Sequence, residues 1–298
     1  KIQSVRGMND LLPHESHVWQ FIESAVADVL HAYGYREIRF PILEQTALFK
    51  RAIGEVTDIV EKEMFTFIDT GGDSISLRPE ATAGMVRAYL QEGMYAKERV
   101  SKIFTIGSMF RHERPQKGRY REFHQVDVEA FGTDDPLMDA ELLWMTSLIL
   151  KGLNVVDYKI EVNSVGCKDC RESFRDILVS YFETKKDRLC EDCLRRLERN
   201  PLRIFDCKHS ECIDITQHSP FLYDSLCDGC RTHFESLLVY LNRFGIAVEI
   251  NKRLVRGLDY YSKTVFEVTS DSLGAQKQHR GQKSGCDGHG AFLSRRAS

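Results

Sequence analysis

From residue 110 to residue 125 the chain reads FRHERPQKGRYREFHQ, sixteen residues that hold five Arg or Lys, two Glu and two His. The flanking stretches, 102–110 and 123–132, are rich in aromatic and β-branched residues and read as strands, so the charged text becomes the loop of a long hairpin. A fold for this chain must bury or pair those strands while keeping a cationic loop in water. Guanidinium groups bind phosphate bidentately, which makes nucleotide or nucleic acid the first ligand class to consider. A merely solvated charged hairpin has the same composition, so a second motif has to decide between them. Along the returning strand His124, Val126, Val128 and Ala130 share one face, and Gln125, Asp127 and Glu129 share the other. One face is therefore expected to pack and the other to present polar groups.

The rest of the chain supplies helices on both sides of this hairpin. Phe21, Ile22, Ala25, Val29, Ala32 and Tyr33 recur at helical spacing, and Gly34 stands where a left-handed cap would close the helix. Residues 35–40 read as a strand that stops at Pro41. Asp135 before Pro136 marks a helix start, with Met138, Leu142, Met145 and Ile149 as its stripe. Strand text returns at 158–162, 247–250 and 264–269. Between them, 167–245 has paired cysteines and charged helical stretches, ending in an amphipathic helix with Phe234, Leu237, Leu238, Leu241 and Phe244. The predicted fold is α+β: a discontinuous core over 1–166 and 246–276, an inserted helical Cys-rich module over 167–245, and a tail over 277–298. That tail is polar, Gly-rich and without periodicity, and is expected to be disordered.

With 298 residues, 42% of them hydrophobic, the chain can bury a sizeable core. The formal net charge of -3 argues against a protein that coats nucleic acid indiscriminately, so phosphate contacts should come from local patches. No apolar run approaches the roughly 20 residues of a membrane span, and the first twelve residues lack the apolar core of a secretory signal. A cytoplasmic protein is expected. In a reducing cytosol closely spaced thiols point to metal before disulfide. Cys167 with Cys170, Cys190 with Cys193, and Cys227 with Cys230 are C-x-x-C pairs; Cys207 and Cys212 are spaced more widely. These eight could form one or two tetrahedral structural zinc sites of four cysteines each, or could be reduced thiols that fill space.

The second motif is RGLDYY at 256–261, together with LRPEATAG at 77–84 and Arg6-Gly7-Met8 with Asp10-Leu11-Leu12-Pro13. With the hairpin these four ordered elements fall within the first 276 residues, far more specific than a single glycine fingerprint. The chain resembles the histidyl-tRNA synthetases, class II aminoacyl-tRNA synthetases of bacterial type. The resemblance implies a class II antiparallel sheet flanked by helices, L-histidine, ATP with Mg2+, and tRNA(His) as ligands, and a homodimer formed through residues 18–41. It also implies roles. Arg111 would take the α-phosphate, with Glu113 and Arg119 holding the rest of the nucleotide and Phe123 stacking on adenine. Arg111 and Arg256 would be the catalytic pair, Arg256 also meeting the substrate carboxylate. Glu80, Thr82 and Gln125 would hold the histidine α-amino group, and Glu129, Tyr260 and Tyr261 would surround the imidazole. Arg114 and Lys117 would reach toward the tRNA acceptor end, assisted by Arg195, Arg196, Arg199 and Arg203 of the module. The family's insertion is not generally a metalloprotein, so both readings of the cysteines stand.

Beyond residue 276 the family's glycine-rich strand, its third motif and its anticodon-binding domain have no counterpart here, which reads as a truncated or frame-shifted end. The alternative of a different class is the synthetase-like, histidine-binding regulatory subunit of ATP phosphoribosyltransferase. That paralogue goes with loss of RGLDYY and of the cationic loop, both of which are present in this chain.

Overall fold

The hairpin organises the molecule. In the computed structural model, which describes residues 1–54, 57, 59–115, 119–255, 261–270 and, by backbone alone, 291–293, ten strands and α-helices run from Pro13 to Gly152. They are α1 (Pro13–Ala32), β1 (Arg36–Glu37), β2 (Leu43–Gln45), α2 (Thr46–Ile53), β3 (Thr66–Ile68), β4 (Ser74–Leu77), α3 (Thr82–Gln91), β5 (Ser101–Phe110), β6 (Glu122–Phe131) and α4 (Pro136–Gly152). Strands β5 and β6 pair antiparallel over all ten residues, from Ser101 opposite Phe131 to Phe110 opposite Glu122.

Each face of this ladder is covered by helices, for reasons visible in the side chains. On one face Phe104, Ile106, Val126, Val128 and Ala130 pack against Val26 and Leu30 of α1 and Leu142, Met145 and Ile149 of α4. Burying a side chain of this size is worth about 1.5–3 kcal/mol, so the stripe fixes both helices on the sheet. On the opposite face Ile103, Met109 and Phe131 pack with Phe40, Ala81, Met85 and Tyr89, bringing the start of α3 against the sheet. Gln125, Asp127 and Glu129 lie on this second face and are at most 3% exposed. The face expected to present polar groups does so beneath α3, sealed from water.

Helix boundaries follow their caps. Helix α1 starts at Pro13, eight residues before Phe21 opens the apolar pattern, because proline is suited to the first helical position. Gly34 follows at φ +80°, as its place at the helix end predicts. The Asp135 carboxylate accepts from Leu137 N at 2.9 Å and opens α4. The strand expected over 35–40 is only Arg36–Glu37, parallel to β5. It is short because Tyr35 and Phe40 are drawn into separate cores, on the α1 side and the α3 side respectively.

Then come β7 (Lys159–Ser164), α5 (Lys168–Glu183), α6 (Glu191–Arg199), α7 (Ser210–Gln217), α8 (Asp228–Arg243), β8 (Glu249–Ile250), β9 (Thr264–Thr269) and β10 (Ala291–Leu293). Strand β7 pairs parallel with β8 and antiparallel with β9, closing a second small sheet. The core of α5–α7 is built from Phe174, Leu178, Phe182, Leu197, Ile204 and Ile215. Helix α8 divides its allegiance: Cys230 joins that core, whereas Phe234, Leu237 and Leu241 pack against Ala140 and Leu143 of α4 and Ile160 and Val162 of β7. The tail, expected to be free of strands, supplies β10, whose backbone pairs parallel with Val126–Val128 of β6. An open strand edge beside the apolar triplet Ala-Phe-Leu accounts for that addition.

Candidate active site

Five buried polar residues, Glu80, Thr82, Gln125, Asp127 and Glu129, form the floor of the site. Glu80 precedes α3, and its two carboxylate oxygens accept from Thr82 N at 2.8 Å and Ala83 N at 2.9 Å. The side chain thus serves the otherwise unpaired amides of the first helical turn. Thr82 donates from Oγ1 to Asp127 Oδ2 at 3.4 Å, and Gln125 Nε2 donates to the same oxygen at 3.1 Å. Asp127 is the hub of the group, and it is a residue that sequence reasoning placed on the polar face without assigning it a task. Its position two residues from both Gln125 and Glu129 on one strand face was the available signal.

This floor is polar and only partly neutralised. Gln125 Oε1 is buried with no hydrogen-bond partner among the described residues, and an acceptor left so costs about 1–3 kcal/mol unless a donor arrives. Burial pushes the Glu80 carboxyl above its ordinary range, against the pull of its two backbone hydrogen bonds and the nearby Arg111 charge. A cationic group placed here would be welcomed by these acceptors.

Above the floor, Arg111 leaves the end of β5, where its Nε donates to Pro79 O at 3.0 Å and its guanidinium lies 5.1 Å from the Phe123 ring centroid. Cation and aromatic ring thus stand side by side at the mouth, with Nη groups uncommitted to the Pro79 contact. Glu113 and Arg119 form an ion pair across the hairpin base. Arg114 is exposed. Lys117, Arg256 and Tyr260 lie outside the described residues.

Arg78, which opens the LRPEATAG segment with Leu77, turns out to be a brace. Its Nε donates to Ser108 O at 2.9 Å and Nη1 to Phe40 O at 3.1 Å, tying the approach to α3 onto β5. Gly107 makes the room, since a Cβ there would meet Arg78 Nη2 at 2.7 Å.

Tyr261 is half-buried against the α5–α7 core, and its carbonyl accepts from Arg171 Nη1 at 2.8 Å. A cleft of about 260 Å³ beside it is lined by Arg171, Arg175 and Arg199 among others. The four arginines expected to assist tRNA binding are already engaged: Arg195 with Asp192, Arg196 with Arg203 O at 3.2 Å, Arg199 with Glu61 at 3.3 Å, and Arg203 with Asp206 at 3.4 Å. Arg203 is buried, which makes it a packing residue of the module rather than a surface cation.

A ten-rung antiparallel pair with a cationic turn, a short parallel strand followed by proline beside it, and a buried polar floor together define a class II aminoacyl-tRNA synthetase core. The profile described as histidyl-tRNA synthetase matches residues 7–179, and the chain belongs to that family. The histidine–tRNA ligase of Desulfosudis oleivorans is 52% identical over 275 residues, 92% of this chain and 65% of its own length. That of Halothermothrix orenii is 51% identical, covering 92% of this chain and 66% of the relative. The chain thus spans about two-thirds of the length of the curated relatives it matches. Among solved structures, the apo histidyl-tRNA synthetase of S. aureus is 36% identical and superposes with a TM-score of 0.73, over 90% of this chain and 61% of that one. An ATP phosphoribosyltransferase regulatory subunit/histidyl-tRNA synthetase from Bacillus halodurans, 20% identical with a TM-score of 0.64, shares the fold. The regulatory subunit is thus a distant neighbour in fold, whereas the curated relatives near 50% identity are named histidine–tRNA ligases. No described helix is long and apolar enough to cross a membrane.

Proposed function

We propose that this chain carries the histidine-activating part of a histidine–tRNA ligase, joining L-histidine to ATP as histidyl-adenylate before transfer to tRNA(His). The observation that carries the reading is the buried floor of Glu80, Thr82, Gln125 and Asp127 with Arg111 at its mouth. The α-ammonium of histidine supplies donors for Gln125 Oε1 and the Glu80 carboxylate. Glu129, fully buried one pleat farther along β6, takes the imidazole side with Tyr260 and Tyr261. A buried carboxylate that expects an N–H rejects an apolar analogue strongly, by about 10⁴ or more.

Attack of the histidine carboxylate on the α-phosphorus brings two anions together, so the protein's contribution is positioning and charge stabilisation. Arg111 stands where it can take an α-phosphate oxygen while Phe123 backs the adenine, with Glu113 and Arg119 on the remainder of the nucleotide; Arg256 completes the clamp. Among the described residues the groups of three or more metal-type ligands are all cysteine. Mg2+ would accordingly enter on the ATP phosphates and offset their charge there.

Arg114, Lys117 and the cationic cleft beside Tyr261 are candidates to meet the acceptor arm of tRNA through phosphate contacts. The inserted module, 167–245, belongs to that arm, and the discontinuous core, 1–166 with 246–276, to the adenylation chemistry. A homodimer is supported by exposed Val18 and Phe21 on α1 and by exposed Leu43, Phe67 and Ile68 on the small β2–β4–β3 sheet. Cytoplasmic residence follows from the activity proposed.

Histidine-dependent ATP–pyrophosphate exchange tests the reading. Exchange should require histidine and fall sharply when Arg111 is replaced by Ala; exchange equally supported by other amino acids would sink it.

A further inference from the structure

Eight cysteines spread over residues 167–230 converge on two separate points. Cys167, Cys170, Cys227 and Cys230 bring their sulfurs within 4.8 Å of one another, and Cys190, Cys193, Cys207 and Cys212 do the same. None is bridged. We propose that the inserted module binds two structural zinc ions, one in each four-cysteine cluster, and that these ions hold its short helices together.

The spacing suits one ion per cluster. A tetrahedral site with Zn–S bonds of about 2.3 Å separates its sulfurs by about 3.8 Å. The structure places Cys167 Sγ 3.6 Å from Cys170 Sγ and Cys190 Sγ 3.7 Å from Cys207 Sγ. Disulfides need about 2.05 Å, and each cluster offers four sulfurs to a common centre rather than two pairs pointing apart. An all-sulfur tetrahedral set selects zinc among common divalent ions.

The surroundings are built for thiolates. Cys167, Cys190 and Cys227 are the residues before the first turns of α5, α6 and α8, and Cys170, Cys193 and Cys230 sit three residues on, inside those turns. Six of the eight sulfurs therefore lie at the positive ends of helices, where anions are favoured. Backbone amides add to this: Cys227 N donates to Cys170 Sγ at 3.3 Å, Cys190 N to Cys212 Sγ at 3.4 Å, and His209 N to Cys207 Sγ at 3.4 Å. Such outer hydrogen bonds orient and stabilise ligating groups.

Each ion would close a different loop. The first cluster joins the entry of the module to the start of α8; the second joins the start of α6 to Cys207 before α7 and to Cys212 in the first turn of α7. The first also sits beside Gly166, whose carbonyl accepts from Lys263 N at 2.9 Å. Gly166 has φ +61°, and a Cβ there would meet Cys170 Cβ at 2.6 Å, so the approach of chain to cluster needs glycine.

The inference is independent of the adenylation reading, because metal content reads it directly. The whole chain, purified without chelator and gel-filtered, should contain two zinc per polypeptide by elemental analysis. Titration of the wild-type protein with a mercurial should release both ions as eight thiols react. Cys230→Ser and Cys212→Ser should each leave one zinc, and the double variant none. Fewer than two zinc in the wild type, whether its thiols are free or joined as disulfides, overturns the proposal, as does iron in place of zinc. Should a variant fail to fold, the wild-type stoichiometry and mercurial release still decide.

Discussion

The β5–β6 hairpin and the α5–α7 module sit in one chain and reach order by opposite routes. The hairpin has ten paired residues on each strand and helices on both faces. The module has no strand among its described residues between 168 and 243, and its helices α6 and α7 run nine and eight residues. Helices that short are marginal by themselves. Backbone pairing with packing holds one region; the other has a packed core without a ladder, to which the proposed zinc sites would add cross-links between segments distant in sequence. A dense ladder can carry a polar floor for substrate, whereas the module devotes its clustered thiols to its own architecture.

Removing metal should break the comparison most severely. Structural zinc binding contributes about 10–16 kcal/mol in small domains, so stripping it should unfold the module while the hairpin core persists. Two transitions in place of one, with α-helical signal lost in the first, would show this; a single unchanged transition would contradict it. Next come matched core truncations. Phe104→Ala in the hairpin core and Phe174→Ala in the module should each cost about 3–5 kcal/mol in the metal-loaded protein, both side chains being fully buried. After chelation only the Phe104 change should still lower the remaining transition. If Phe174→Ala also lowered it, the two regions would not be separable.

Arg111→Ala should reduce histidine-dependent exchange by about 10²–10³, or roughly 3–4 kcal/mol, because one charge-stabilising group is removed from the site. Thermal stability and zinc content should not move, since the Arg111 side chain makes a single described hydrogen bond, to Pro79 O. The smallest effect is expected at Glu80. Its raised value means that the folded state keeps the proton to higher pH than the unfolded chain does. The stability this contributes is present below the ordinary carboxylate range and is lost as pH rises through the raised value. Glu80→Gln removes that dependence, so its stability relative to wild type should climb over the same window. A flat difference would argue that burial does not govern this carboxyl.

Much of the hairpin is legible in the sequence because alternation and charge density act locally: β5 and β6 fall within one residue of the expected bounds, and Asp135 caps α4 as its sequence implies. Alternation alone cannot tell a wet polar face from one sealed beneath a helix, so the burial of Gln125, Asp127 and Glu129 becomes visible only with α3 in place. The hub role of Asp127 is hidden for the same reason. Cysteine spacing shows pairs but not partners. Cys167–Cys170 meets Cys227–Cys230 across some sixty residues, and only the fold, which brings the first turns of α5 and α8 together, shows which pair joins which. The strand expected at 35–40 shrinks to the two residues of β1, since its aromatic text is shared between two cores rather than committed to one ladder.

The register of β6 against β5 carries a consequence for fidelity of folding. Gly107 stands opposite Gln125, Thr105 opposite Asp127 and Ile103 opposite Glu129. Sliding one strand by a single residue would turn every side chain to the other face, thrusting two carboxylates and an amide among Val26, Leu30 and Leu142 and lifting Val126 and Val128 toward Glu80. Each misplaced polar group would cost several kcal/mol. The three polar side chains on this face of β6 therefore act as a proofreading key for the backbone, rejecting misaligned pairings as the sheet forms.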